Sequence, residues 1–389
     1  MRIPRQTGEY SISSTAGEQV RAYIPKPLPP DPPLDLAGLY PLLDRANQAL
    51  GRLDGSTTLL PDAHLFLYFY ISKEAVISSQ IEGTQSTLSE LLLFEHGIGP
   101  AALVDDLKET SHYVAAIQHG LDRLKEGFPV SLRLLREIHG VLLRGGRGSE
   151  RTPGEFRHSQ NWIGGTRPGN ALFVPPPPDV MLECLDSFEK YLYDDRLPLL
   201  VKLGLVHVQF ETIHPFLDGN GRMGRLLLTL LLCEGRVLQE PLLYLSLYLK
   251  THRDRYYELL QKVRVEGVWE EWLEFFLEGI AFTADQAVER AAKLRQLFRE
   301  DTVCVQGLGK ASGTAIQVHV YLQANPVSAI RNIAAGISKT VAAVAQALAN
   351  LQQLGIVNEA TGQRRNRVFV YQRCLDLIGD GTEPIPGLR

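Results

Sequence analysis

The sequence predicts a mainly α-helical fold carrying one short β-hairpin midway along the chain and a winged helix-turn-helix at its C-terminal end. Three observations carry that prediction. Apolar residues recur three and four apart over most of the 389 residues, as amphipathic and buried helices require. A single stretch rich in glycine and proline, residues 145–178, interrupts them. After residue 315 three helical runs are followed by two strand-prone runs joined by a basic loop. These textures divide the chain into a helical N-terminal unit over residues 1–100, a helical core over 101–300 and a winged unit over 301–389, in keeping with about 150 residues per domain.

In chain order, residues 1–33 gather prolines that culminate in Pro27, Pro29, Pro30, Pro32 and Pro33. Missing amide donors and a fixed φ disfavour helix there, so an extended lead-in is expected. Helical spacing follows over 35–51, then from His64 through Glu82, and again over 105–124 and 131–143. Within the interruption, Trp162, Ile163, Leu172, Phe173 and Val174 flank a turn at 167–170; they read as a short hairpin, a flap facing a substrate. Two strongly apolar helices, 199–213 and 222–233, are separated by the polar, glycine-rich turn 218–221. Further helices are expected at 254–266 and 269–298, the latter with a break at Gly279, and the winged unit supplies 315–324, 327–334 and 339–354 before its hairpin. No repeat of fixed period is present, which sets solenoids aside.

Composition narrows the class of protein. Hydrophobic residues make up 44% and charged residues 22%, ordinary globular usage rather than disorder or a fibre. A formal charge of -4 gives no global field for nucleic acid, so any such contact would be regional. Cys184, Cys233, Cys304 and Cys374 are widely spaced, which suggests neither a zinc site nor a disulfide framework. The N-terminus lacks the apolar run of a secretory signal. The longest greasy stretch, residues 226–233, is far short of the ~20 residues that span a bilayer. The expectation is a cytoplasmic protein with no membrane partner.

The chemistry concentrates in residues 214–225, HPFLDGNGRMGR. Pro215 ends the helix that reaches His214, and the chain turns through Asp218, Gly219, Asn220 and Gly221 before a second helix begins near Arg222. The free amides of that helix start, with those of the glycine-rich turn, make a concave anion site suited to a polyphosphate. Arg222 and Arg225 lie three apart on nearly one face, where guanidinium forks can grip outer phosphates. Asp218 is a hard oxygen ligand suited to Mg²⁺ bridging the phosphates of ATP. A neutral His214, with an ordinary pKa of about 6.5, can accept the proton of an attacking hydroxyl. In-line attack at the α-phosphate would expel pyrophosphate. His207, two turns earlier on the same face, reads as a buried structural histidine.

The run resembles the motif of the Fic family, HPF-x-(D/E)-GNGR-x-x-R, with no motif position departing. The resemblance extends over the N-terminal unit and the winged helix, and it implies a Fic-type helical core. It also implies a protein adenylyltransferase that moves AMP from ATP to a Tyr, Thr or Ser hydroxyl of a target protein or of itself. His214 would be the base and Asp218 the metal ligand. Gly219, Asn220, Gly221, Arg222, Met223, Gly224 and Arg225 would hold ATP, with Arg225 at the γ-phosphate and Phe216 packed inward.

A second run, SSQIEG at residues 78–83, resembles the inhibitory (S/T)-x-x-x-E-(G/N) motif of many Fic proteins. On a helix Ser78 and Glu82 stand one turn apart, and Gly83 stops the helix. The resemblance implies that Glu82 takes Arg225 from the γ-phosphate and restrains transfer, and that the same glutamate can assist removal of AMP. The stretch leading to Trp162, Ile163 and Gly164 resembles the family's flap, which aligns a target segment by strand addition. Tyr256 and Tyr257 resemble a family Tyr-Tyr pair, of which Tyr257 would flank the adenine. Around the expected wing, Arg364, Arg365, Arg367 and Arg373 form a basic cluster that could touch a phosphate backbone. The alanine-rich run before it is poor in base-reading side chains, so docking or dimerisation is favoured over DNA binding. A homodimer that shields the site fits an enzyme controlled in this way. A DNA-binding nucleotide sensor and a Fic enzyme transferring another phosphate-containing group are the rival readings.

Overall fold

A computed structural model describes residues 5–15, 17–57, 63–145, 148–363 and 366–387. The chain opens with β1, Gly8–Thr15, paired antiparallel with β2, Glu18–Pro25. This corrects the extended lead-in expected over residues 1–33. The prolines cluster from residue 25 onward, whereas 8–25 alternates β-forming residues and turns at Gly17, whose φ is +81°. Val20 and Ala22 of β2 are buried against Val174, and the Tyr23 amide donates to the Val174 carbonyl at 2.8 Å. The hairpin therefore braces the segment that leaves the expected flap.

Helices follow: α1 Tyr40–Thr57, α2 Ala63–Ile81, α3 Leu88–Phe94, α4 Val104–Lys125 and α5 Leu132–Leu142. Thr87 and Glu90 close a capping box at the start of α3. After the glycine- and proline-rich stretch come α6 Pro178–Leu192, α7 Leu199–Ile213, α8 Asn220–Glu234, α9 Ser246–Thr251 and α10 Arg253–Glu266. From Leu200 to Ile213 every residue of α7 is buried, which is what apolarity around a whole helix demands. It is the centre about which α6, α8, α10 and the following helix, Trp269–Gln306, pack.

The helix α11, Trp269–Gln306, runs 38 residues without the break expected at Gly279. The Tyr248 ring occupies the space a side chain would need there, with a Cβ at Gly279 falling 2.6 Å from Tyr248 Cδ1. Glycine thus serves close packing rather than a kink. The expected flap hairpin is smaller than two strands: Ile163 and Phe173 form one antiparallel bridge around a 3₁₀ turn at Pro168–Asn170. Asn170 Oδ1 accepts the amides of Thr166 and Arg167, and Glu18 of the N-terminal hairpin binds Arg167 and the Gly169 amide, each at 2.8 Å. Such local side-chain bonds compete with a longer ladder.

The C-terminal unit comprises α12 Ser312–Ala324, β3 Val327–Ala329, α13 Ile330–Gly336, α14 Val341–Gln353, β4 Asn358–Glu359, β5 Val368–Val370 and α15 Gln372–Gly379. The strands form an antiparallel sheet in the order β3-β5-β4. Arg364 and Arg365 lie outside the described residues. Arg367 pairs with Glu359 at 2.8 Å and Arg373 with Asp301 at 2.8 Å, so neither is an unengaged charge. Among the described residues no helix is long and apolar enough to cross a membrane.

Candidate active site

The site is built where α7 ends and α8 begins. His214 caps α7 in the left-handed region, with φ 51° and ψ 61°, a conformation that costs a non-glycine residue about 1 kcal/mol or more. Two buried guanidiniums hold it there. Arg157 donates from Nε to the His214 carbonyl at 2.9 Å, and its own amide donates to the Pro215 carbonyl at 2.9 Å. Arg264 donates to the Glu211 carbonyl at 3.1 Å and to Thr212 Oγ1 at 3.1 Å. Cations at a helix C-terminus complement its unsatisfied carbonyls and dipole. Burial and these two cations push His214 down to about 3, so its imidazole is neutral at physiological pH; its buried Nδ1 has no hydrogen-bond partner.

The turn after His214 is fastened at several points. Asn220 Oδ1 accepts the Phe216 amide at 2.9 Å and Asn220 Nδ2 donates to the Phe216 carbonyl at 2.8 Å. The side chain of Asn220 is thereby consumed by the loop, leaving only its backbone amide for a ligand. Phe216 is buried, as expected, and stacks on His139 with ring centroids 3.8 Å apart. His139 Nδ1 accepts from the Gly154 amide at 2.9 Å, which leaves Nε2 protonated to donate to the Asp218 carbonyl at 3.0 Å. Burial lowers its pKa to about 4 and keeps that neutral tautomer.

Gly219 takes the left-handed conformation, φ 75°, at the start of α8, and no side chain caps that end. The first-turn amides of α8 are therefore left to solvent or an anion. Met223 is buried and its amide is used by the Gly219 carbonyl. Gly221 and Gly224 have no room for side chains: a Cβ at Gly221 would fall 2.3 Å from Glu82 Oε1, and one at Gly224 would fall 2.5 Å from Glu211 Oε1. Asp218 stands at the mouth of the turn, its carboxylate partly exposed, one oxygen accepting the Gly219 amide.

The two arginines are not the open forks expected from their spacing. Arg222 is buried against Glu109 at 2.7 Å and reaches Asp218 at 3.6 Å, so it props the turn from behind. Arg225, 2% exposed, donates to Ser78 Oγ at 2.8 Å, to the Ser78 carbonyl at 3.0 Å and to Glu82 Oε1 at 2.6 Å. Spacing along a helix gives the face, but the neighbours that fill that face come from distant α2 and α4. Gly83, φ +105°, ends α2 immediately after Glu82. Burial alone would push the Glu82 carboxyl up, but the Arg225 guanidinium, with Arg222 behind it, holds it below the ordinary carboxylate value.

Tyr256 is buried and its hydroxyl bonds His207 Nε2 at 2.8 Å, which makes His207 the structural histidine expected. Tyr257 is partly exposed beneath the Arg253 guanidinium, 5.0 Å from its ring. In the flap, Trp162 is exposed, Ile163 makes the bridge, and Gly164 turns the chain with φ +68°. Phe173 lies under Arg264 at 4.0 Å, so one guanidinium joins the base of the flap to the last turn before His214. Arg157, His139 and Arg264 escaped sequence reading because no short spacing links them to residues 214–225.

A helix that ends on a left-handed histidine, an uncapped helix start behind a fastened glycine turn, and a carboxylate seated on the second arginine together make up the HPF-x-D-GNGR site. Residues 40–122 match the model described as Fic/DOC family N-terminal and residues 129–232 the Fic/DOC family model. It is 27% identical over 248 residues to proteins named protein adenylyltransferase Fic of Drosophila erecta and Drosophila melanogaster. Those alignments cover 62% of this chain and 46% of each relative, so the chain spans about half the length of the curated relatives it matches. Among solved structures, a Fic family protein from Desulfovibrio desulfuricans is similar with TM-score 0.57 and 17% identity, covering 87% of this chain and 97% of that one. Fic-1 from C. elegans is similar with TM-score 0.50 and 20% identity, covering 67% and 74%. These two likenesses concern the fold.

Proposed function

We propose that this protein transfers AMP from ATP to a hydroxyl of a target protein, or of itself, and is restrained by Glu82. The carrying observation is the Glu82 carboxylate 2.6 Å from Arg225, beside an uncapped helix start and a neutral histidine. The hydroxyl oxygen attacks the α-phosphorus, the bond to pyrophosphate breaks, and the hydroxyl proton passes to the His214 imidazole. Burial and the two buried arginines keep the ring unprotonated, so its nitrogen lone pair is open to that proton. The amides of residues 220–222 bind phosphate oxygens, and Arg225 grips the γ-phosphate once Glu82 has left it. Met223 and Gly224 belong to this ATP site through the backbone, and Tyr257 flanks the adenine.

The Asp218 carboxylate, accessible at the mouth of the turn, fits Mg²⁺, which takes one or two carboxylates together with phosphate oxygens. The ion would neutralise charge on the phosphates. Trp162, Ile163 and Gly164 line the edge along which a target segment adds as a strand. With water in place of the hydroxyl, Glu82 can also assist removal of AMP. We read the three units as 1–100, 101–300 and 301–389, the protein as cytoplasmic, and a homodimer as the form in which the site is shielded. The ion pairs of Arg367 and Arg373 favour protein docking by the winged unit over DNA binding.

The test is the intact mass of Glu82→Gly protein after incubation with ATP and Mg²⁺, alone and with cell extract. A gain of one AMP on this chain or on an extract protein is expected, with the wild type lagging. No label from α-phosphate-labelled ATP on any protein would refute the transferase reading and leave the nucleotide-sensor alternative.

A further inference from the structure

The inhibitory helix α2 has two working faces. Ser78 and Glu82, one turn apart, face Arg225. Lys73 and Gln80, seven residues apart and so again nearly aligned, face the segment that leaves α15. Lys73 Nζ donates to the carbonyls of Ile378, at 3.1 Å, and Asp380, at 2.6 Å. Gln80 is fully buried, and its amide is spent on three partners. Oε1 accepts from Lys250 Nζ at 2.7 Å, while Nε2 donates to the carbonyls of Thr382, at 2.7 Å, and Ser86, at 2.8 Å.

Gln80 and Ser86 bracket Glu82, so this one side chain staples both ends of the bend that presents the carboxylate. Thr382 completes the staple, its Oγ1 accepting the Leu88 amide at the start of α3. Lys250 also donates to the Gly381 and Glu383 carbonyls. On its far side the segment is held to α11 by Arg290, which bonds the Asp380 carbonyl at 2.8 Å and pairs with its carboxylate at 2.6 Å.

We propose that residues 377–383 are a latch that clamps α2 from behind and so sets how firmly Glu82 occupies Arg225. This rests on the restraint proposed above and names what controls it. The geometry gives the latch a direct line to the winged unit. Only α15 separates it from β5, and Tyr371, between the two, is fixed to the Pro326 carbonyl at 2.7 Å and to the Asp301 carboxylate. A partner that shifts the wing pulls on α15, withdraws carbonyls from Lys73 and Lys250, and leaves Gln80 with unmatched donors. Buried polar groups that lose their partners favour rearrangement, here of the bend that carries Glu82. The winged unit thereby becomes the input of the restraint.

The test uses full-length Lys73→Met, Lys250→Met and the milder Thr382→Ala, each in wild-type and Glu82→Gly backgrounds. Two quantities are read: hydrogen exchange of the amides of residues 82–84, which bond Ser79 and Gln80 carbonyls, and AMP transfer. Exchange should quicken about tenfold, the consequence of losing roughly one hydrogen bond to a charged group. Transfer should rise about fivefold to tenfold in the wild-type background and not at all on top of Glu82→Gly. Unchanged exchange at 82–84 in folded variants overturns the latch, as does an equal rise in both backgrounds. If Glu82→Gly itself transfers nothing while exchange quickens, the latch stands and the transferase reading falls.

Discussion

Replacing Glu82 by glycine removes the one carboxylate paired with Arg225 among the described residues and leaves the guanidinium, 2% exposed, on Ser78 there. A hydrogen bond to a charged group contributes about 1.5–3 kcal/mol. The fuller penalty of about 3–5 kcal/mol for orphaning a buried charge does not apply, because Glu82 is 35% exposed and water can enter where it stood. The same free energy governs competition with ATP, since the γ-phosphate must displace the carboxylate before Arg225 can hold it. At 1.4 kcal/mol per factor of ten, Glu82→Gly should raise the transfer rate at subsaturating ATP about 10- to 100-fold. It should lower Tm by a few degrees without ligand, about 2–4 °C per kcal/mol for a large domain. Saturating ATP and Mg²⁺ should recover most of that loss, because a ligand that binds the folded form stabilises it. The assay is label transfer from α-phosphate-labelled ATP beside thermal unfolding with and without nucleotide. The reasoning is refuted if Glu82→Gly gains no rate, or if Glu82→Gly/Arg225→Ala retains the gain, since the guanidinium is the contested group.

His214→Ala should abolish transfer in both backgrounds while Tm moves by no more than a few degrees, checked by the same label and melt. Arg157→Met should reduce transfer at least tenfold in the Glu82→Gly background and cost about 2–4 kcal/mol in denaturant unfolding, because it strips buried carbonyls of their donor. Burial raises the Glu211 carboxyl to about 7 despite Arg225 nearby, and its Oε1 has no partner. The folded protein then holds that proton more tightly than the unfolded chain, so no penalty exists below pH ~4.5 and one grows as pH rises from there to ~7. Glu211→Gln should therefore nearly match the wild type at pH 4.5 and exceed it by about 3 kcal/mol above pH 7.5, from 1.36 kcal/mol per unit; equal stabilities at both pH values would exclude the buried-charge account.

The candidate site is legible where its residues are consecutive in the chain. HPFLDGNGRMGR places histidine, turn and helix start within twelve positions, and their order in space follows from the order in the chain. Glu82 and Ser78 were also reachable, since one helical turn aligns them. What could not be read was which side chains from elsewhere satisfy this turn. Arg157 reaches His214 across 57 residues and Arg222 finds Glu109 across 113. Such pairings depend on how α4, α7 and α8 pack, and local periodicity carries no information about them. The N-terminal hairpin is obscured differently, because the prolines at 25–33 dominate the composition of a stretch whose first part, 8–25, alternates β-forming residues. Gly279 misled because the same residue type serves a kink and a close approach, and only the Tyr248 ring distinguishes them.

The bare backbone at Gly221 has an evolutionary corollary. The space that a methyl group would fill is the space the Glu82 carboxylate occupies, and under the proposed function it is also the approach a phosphate needs. Under that proposal, a mutation there that evicted Glu82 would bar the nucleotide by the same collision. The proposed restraint would thus be protected from loss on the α8 side, and a lineage that released it would do so by altering α2 or whatever presses upon it.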